Sequence, residues 1–178
     1  VAASGSGNCG RWIADKDCAL IELNLANGKQ NAVMRTNSTI YNITVDKAHA
    51  TLYAAGGFTR VTSPTQTVTA ASGDGMIVAN NPALGALTDV IQAHGGGYPD
   101  ASILTLGFDN GNLYAAGAFT TLGTVTAAGD TYPVVSLNTT TGVWGNVLTT
   151  RPDGAITALG FKDNRMFISG YYSNLLGQ

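Results

Sequence analysis

The 178-residue chain carries a formal net charge of −2, with 11% charged and 44% apolar residues. That balance gives no electrostatic footprint for nucleic acid or an anionic membrane surface, and no apolar run approaches the length of a membrane span. The length suffices to bury one sizeable core.

In chain order, VAASG (1–5) comes first, a small-residue run ending at Gly5. Cys9 and Cys18 then bracket GRWIADKD (10–17), which holds Arg11 and Trp12. A disulfide between them would close a small insertion, stabilise the fold by ~2 to 3 kcal/mol through the unfolded chain, and imply an oxidising compartment; two unrelated reduced thiols are the alternative. A zinc site would need further ligands that this neighbourhood does not supply. CALIELNLANGKQNAV (18–33) holds a turn glycine, Gly28. In TIYNITVD (39–46) the apolar residues Ile40, Ile43 and Val45 slip by one from strict alternation, which predicts a bulge or a strand buried on both faces. A polar turn with His49 leads into LYAAGGFTRV (52–61) and the loop TVTAASGD (67–74). GMIVANNPALGALTDV (75–90) follows. Within it and beyond, LGALTDVIQAH (84–94) has helical spacing, although strand and loop serve equally well.

HGGGYPD (94–100) is an unusual loop, in which glycine-exposed amides and Tyr98 could serve a ligand or simply form a flexible crossing. After it, SILTLGFD (102–109) and LYAAGAFTTL (113–122) are joined through DNGN (109–112), a hairpin signal because Asn-Gly tolerates positive φ. TVTAAGD (124–130), PVVSLNTTTGVWGNV (133–147) and AITALGFKDNRMFISGYYSNLLG (155–177) complete the order.

These segments are copies of one another. Ile40, Ile103 and Ile156 share a column, as do Ile43, Leu106 and Leu159, then Val45, Phe108 and Phe161, then Leu52, Leu113 and Met166, then Tyr53, Tyr114 and Phe167. A glycine column, Gly56, Gly117 and Gly170, precedes an aromatic column, Phe58, Phe119 and Tyr172, and a hydroxyl column, Thr59, Thr120 and Ser173. Val1, Leu52, Leu113 and Met166 fall 51, 61 and 53 residues apart. Each period contains about four short apolar or alternating runs between Gly, Asn, Asp, Pro and Thr clusters, the grammar of strands and turns. Four strands in about 50 residues is the size of a propeller blade, and stacking such sheets buries both faces. The small residues would let neighbouring backbones approach, and the aromatic column would wedge between blades.

With Tyr53, Gly56, Gly57, Phe58 and Thr59, Tyr114, Gly117, Phe119 and Thr120, and the turn-and-tryptophan pair Gly142 and Trp144, the chain resembles the secreted propeller repeats of bacterial surface proteins and of the fungal cortical polarity-marker family, distant relatives of kelch repeats. It departs from them in having the tryptophan in one unit only and no aromatic after Gly5. The expected fold is all-β, a β-propeller-like array of four-stranded antiparallel blades with about three repeat units (approximately 1–51, 52–112, 113–165 and a partial 166–178). Because it opens and closes in mid-repeat, and propellers close with four blades or more, we read it as a segment of a larger propeller; the alternative is a domain closed by pairing Val1 beside MFISG.

Catalytic motifs such as GxSxG, HExxH and the P-loop are absent from the sequence. His49 and His94 have no evident catalytic neighbour, Glu22 falls in a strand, and Asp74, Asp100, Asp109, Asp130 and Asp153 fall at turns, where carboxylates bond nearby backbone. No catalytic residue, metal site or cofactor is expected. Sequons at Asn37, Asn42 and Asn138 are about as many as chance supplies, and Asn42 falls within a predicted strand. The expectation is a non-enzymatic extracellular or cell-surface structural or adhesion protein that uses protein partners or self-assembly, with Arg11, Trp12, His94 and Tyr98 as contact residues. A glycan- or ligand-binding propeller and a propeller enzyme completed by residues outside this segment are the alternatives.

Overall fold

A computed structural model describes residues 3–4, 18–70, 75–81, 86–95, 102–126, 132–148 and 152–174, and every regular element among them is a β-strand. Strands β1 (Ala3–Ser4), β2 (Cys18–Leu23) and β3 (Gln30–Thr36) precede β4 (Ile40–Asp46), β5 (Thr51–Gly56), the short pair β6 (Arg60–Thr62) and β7 (Thr67–Thr69), β8 (Met76–Asn81) and β9 (Ala86–His94). Next come β10 (Ser102–Asp109), β11 (Asn112–Ala118), the short pair β12 (Thr121–Leu122) and β13 (Val125–Thr126), β14 (Val134–Asn138) and β15 (Trp144–Asn146). Strands β16 (Ile156–Lys162) and β17 (Arg165–Gly170) end the order. The segment left open between helix and strand is β9, whose Leu87, Ile91 and Ala93 are buried against its neighbours.

Two four-stranded antiparallel meanders recur in the same order, β4-β5-β8-β9 and β10-β11-β14-β15. In each, a short hairpin interrupts the second and third strands and leaves the sheet. Hairpin β6–β7 pairs with β3 of the preceding sheet, Thr36 opposite Val61. Hairpin β12–β13 pairs with β9 of its own preceding sheet, Leu122 opposite Ala93. The sheets therefore overlap, each later unit extending the outer strand of the one before. At the start of the chain β1 pairs with β2, and at its end β16 pairs with β17.

The slipped alternation is a bulge, repeated at each inner hairpin. Register shifts fall between Ile40 and Asn42, Ile103 and Thr105, and Ile156 and Ala158, so Tyr41, Leu104 and Thr157 are the extra residues. Opposite each isoleucine stands the repeated glycine: Gly56, Gly117 or Gly170. A Cβ on these glycines would fall on the carbonyl oxygen of Thr39, Ser102 or Ala155. The column is glycine because two backbones meet there.

Strands buried on both faces read as continuous apolar runs, and β8 does so. Its Met76 and Val78 join Leu20, Met34, Ile40, Ala54 and Phe58 in a core between the first two sheets, while Ile77 and Ala79 join Leu113, Val135 and Phe119 between the second and third. A third core holds Ala116, Val134 and Ile156 with Met166, Ile168 and Tyr172 packed against it. The aromatic column thus lies between successive sheets: Phe58 and Phe119 are fully buried, each contributing about 1.5 to 3 kcal/mol by burial. Tyr172 is half-buried, its hydroxyl donating to the Ile168 carbonyl at 3.1 Å.

Candidate interaction surface

At the glycine end of each inner hairpin, the hydroxyl column is gripped by polar groups. Asn37 Oδ1 accepts the backbone N–H groups of Thr59 (2.9 Å) and Arg60 (2.8 Å), and its Nδ2 donates to Thr59 Oγ1 at 2.9 Å. Asp153 repeats the arrangement: Oδ1 accepts the N–H groups of Ser173 (2.8 Å) and Asn174 (2.9 Å), and Oδ2 accepts the Ser173 hydroxyl at 2.9 Å. The Asn174 amide and then the Ser173 hydroxyl hold this carboxyl below the usual carboxylate range. Asn37 and Asp153 each stand three residues before the isoleucine column. In the middle unit Thr120 instead donates its N–H to the carbonyls of His94 and Gly95, and its hydroxyl to His94, each at 2.9 Å.

The opposite end is made of hairpin turns. Asn110 and Gly111 adopt φ of 47° and 74°, and Asp163 and Asn164 adopt 51° and 60°, as two-residue turns with both central residues left-handed require. The first inner hairpin has a longer turn held by Asp46. Its Oδ1 accepts the N–H of Ala48 at 2.9 Å and of His49 at 3.2 Å, and its Oδ2 lies 2.6 Å from His49 Nδ1. Burial raises the Asp46 pKa, but the His49 ring and the His49 and Ala48 amides outweigh it, leaving the carboxyl below its ordinary value. His49, for which the sequence showed no catalytic neighbour, thus has Asp46 of its own turn as a partner. The imidazole is 64% exposed on a turn whose Lys47, Ala48 and Ala50 are also exposed, while Asp46 is 2% exposed. This is the geometry of a turn clamp.

Of the expected contact residues, Arg11, Trp12 and Tyr98 lie outside the described residues, as does Cys9. Cys18 is buried at the start of β2 and is not a free thiol; its expected pairing with Cys9 is carried below as a proposal. His94 is exposed at the end of β9 and its carbonyl anchors Thr120, so its backbone is structural. Trp144 lies against Gly123 at the tip of hairpin β12–β13 and packs on the second core. The sequons are structural too: Asn37 is the clamp described above, Asn42 reaches Thr105 of the next sheet at 3.4 Å, and Asn138 accepts the Thr140 and Thr141 amides of its turn at 3.1 and 2.9 Å. Among the described residues no group of three or more His, Cys, Asp or Glu side chains is placed to hold a metal ion, and no helix could cross a membrane.

Comparison with family models, curated proteins and solved structures finds no match to this chain.

Sequence reading passed over several exposed residues that stand in the repeated columns. Between sheets, the ring of Tyr53 stacks with Phe108 at 6.0 Å and that of Tyr114 lies 4.8 Å from Phe161. Phe167 occupies the same column as those tyrosines and is 57% exposed; Val45 occupies the column of Phe108 and Phe161 and is 47% exposed. Tyr41 and Tyr171 are exposed as well, Tyr41 lying over Gly57. A shallow groove of about 160 Å³ runs between Ala32–Arg35 and Thr62–Pro64, where hairpin β6–β7 meets β3. These features offer apolar and aromatic contact area with few proton-transfer groups, which suits recognition.

Proposed function

We propose that the chain is a run of β-propeller-type units from an extracellular or cell-surface protein, working as a structural or adhesion element that presents surfaces to protein partners. The observation that carries this reading is the use made of the repeated positions. The isoleucine and aromatic columns pack between neighbouring sheets, while the glycine and hydroxyl columns lock each inner hairpin, so what differs from unit to unit is left for recognition. The propeller geometry is supported by the two four-stranded meanders and by the first strands of the three inner hairpins, β4, β10 and β16, lying side by side. The extracellular assignment rests on the low charge and on a disulfide between Cys9 and Cys18, supported by the absence of a free thiol at Cys18.

Partner contacts fall to the segments that differ between units, 8–17, 63–74 and 94–100. Because the His94 and Gly95 carbonyls hold Thr120, a loop variant has to begin beyond Gly95. Replacing 96–100 with a short rigid turn, or deleting the tip of 10–17, is expected to weaken adhesion to cells or matrix while leaving the melting transition in place. Adhesion retained in both variants overturns the reading, as does turnover of a substrate by the wild-type chain.

Exposed Tyr41, the bulge residue of β4, and Tyr171, just beyond β17, both at the glycine end of their hairpins, favour a second reading as a glycan-binding surface. Titration with oligosaccharides, and its loss in Tyr41→Ala and Tyr171→Ala, separates the two.

A further inference from the structure

Strands β3 and β9 are each joined by the hairpin of the following unit at one end only. Hairpin β6–β7 reaches Arg35 and Thr36 of β3, and hairpin β12–β13 reaches Ala93 and His94 of β9. Beyond that contact the two edges differ. On β9 the spare groups are occupied: the Gln92 carbonyl accepts the Gly123 N–H at 3.2 Å, the Val90 N–H donates to Asp89 Oδ1 at 2.8 Å, and the Leu87 carbonyl accepts Gln66 Nε2 at 2.8 Å. Asp89 also puts an exposed charge there, one of the devices that keep foreign strands off an edge. On β3, Pro64 has no N–H with which to continue the ladder, and Ser63 Oγ accepts the Thr65 and Gln66 N–H groups at 3.4 and 3.3 Å, turning the chain back. Among the described residues no strand therefore lies beside 30–33 on the side away from β2. The side chains of that stretch, Gln30, Asn31, Ala32 and Val33, carry no charge.

We propose that this bare edge of β3 takes an extended acidic segment of a partner protein as an added strand, continuing the ladder that β6 begins. Strand addition satisfies a row of unpaired backbone groups. The groove of about 160 Å³ between Ala32–Arg35 and Thr62–Pro64 opens at the same place and has room for an apolar side chain of the incoming strand. Charge selects an acidic segment. Exposed Arg35 pairs with Thr62, and exposed Arg60 stands two residues from Thr62 on β6, so the two guanidinium groups share a face diagonally. Exposed Lys29 stands just before β3. Among the described residues of this sheet there is one carboxylate, Glu22, which accepts Asn31 Nδ2 at 3.3 Å from the strand on the far side. A segment with an apolar residue flanked by Asp or Glu complements the edge in backbone, shape and charge. The site is a strand edge, so further units stacked on the faces of this sheet would leave it open.

This inference rests on the reading of the protein as a surface for protein partners and names the chemistry of one partner segment. The test is to pan a library of displayed short random peptides on the 178-residue chain, then to titrate the enriched peptide, made synthetically, against wild type, Ala32→Asp and Arg35→Glu. Both positions are exposed, and melting curves check that the variants fold; the exchange pattern of the wild-type chain decides if either does not. Enriched peptides are expected to carry an apolar residue flanked by Asp or Glu, and each variant to weaken binding at least about tenfold. Bound peptide is expected to slow amide exchange in 30–33 and to leave Val90 unchanged. Arg35→Glu is expected to bind the same peptide again once its acids are replaced by Lys. Enrichment without acidic residues, a variant that binds like wild type, no recovery on charge reversal, or slowed exchange on another strand each overturns the proposal. So does self-association of the chain that Ala32→Asp abolishes, which would assign the edge to a second copy. Adhesion through 10–17 or 96–100 is read in variants that leave β3 intact, so either reading can fail alone.

Discussion

Gly56, Gly117 and Gly170 owe their identity to a carbonyl oxygen of the neighbouring strand that occupies the position of a side chain. A carbonyl in a sheet ladder cannot step aside as a flexible side chain can. Gly56→Val and Gly117→Val are therefore each expected to destabilise by about 1 to 3 kcal/mol or more through overpacking, measured as a fall in the urea midpoint at unchanged slope; two unchanged midpoints would refute the close approach. The acidic clamps give a pH dependence. Asp46 and Asp153 have lowered pKa values in the folded chain, so the unfolded chain binds their protons more readily. Their stabilisation is present above the unfolded carboxylate value of about 4 and is lost as pH falls through the lower folded values. Urea midpoints are expected to drop below about pH 4, and Asp46→Asn, which keeps the turn acceptor but loses the charge, is expected to drop less over that range while starting lower at neutral pH.

The wedge residues belong to the scale of the strand. Phe58 and Phe119 each sit between two sheets with no exposed surface to spare, so Phe58→Ala and Phe119→Ala are each expected to cost about 3 to 5 kcal/mol. Tyr172→Ala is expected to cost less, because that side chain is only partly buried; equal losses at all three positions would contradict the burial order. How far each element was legible in the sequence follows from the range of the interaction that sets it. The bulge at Tyr41 showed as a slip between Ile40 and Ile43, and the Asn110–Gly111 turn showed in its own dipeptide, because both are decided within a few residues. The wedge role of Phe58 and Phe119 could be read because repetition placed the same ring after the same glycine. The destination of hairpins β6–β7 and β12–β13 could not, since their partners β3 and β9 lie in a preceding sheet and short Thr-rich strands do not specify an edge. The clamps stayed hidden for the same reason: Asn37 reaches Thr59, and Asp153 reaches Ser173, across an entire inner hairpin. The residues chosen for recognition, Arg11, Trp12, His94 and Tyr98, had only their place in segments that differ between units and their chemistry to recommend them, which is why exposed Val45 and Phe167, in the repeated columns, were missed.

For the molecule as a whole, stability is a sum over sheets and the joints between them. Strands buried on both faces, such as β8, open only when both joints open, whereas β16–β17 has one covered face. Amide exchange is expected to be slowest in β5, β8 and β11 and fastest in β16 and β17; uniform protection would show a single cooperative core instead. Native protein should bind no thiol reagent, and reduction should lower stability by about 2 to 3 kcal/mol; reactive Cys9 and Cys18 would remove the argument for an oxidising compartment. Hairpins β6–β7 and β12–β13 add a consequence for how such an array can be cut or rearranged. The stretch that is continuous in sequence and the sheet that is continuous in hydrogen bonds are out of phase by one hairpin. A break placed neatly between sheets, after β9, strips that strand of its β12 neighbour, and a break placed after β13 keeps the cover but leaves β11 without β14. Either cut leaves a strand edge unpaired, so a unit excised on its own sequence bounds is expected to be less stable than one that keeps the following hairpin.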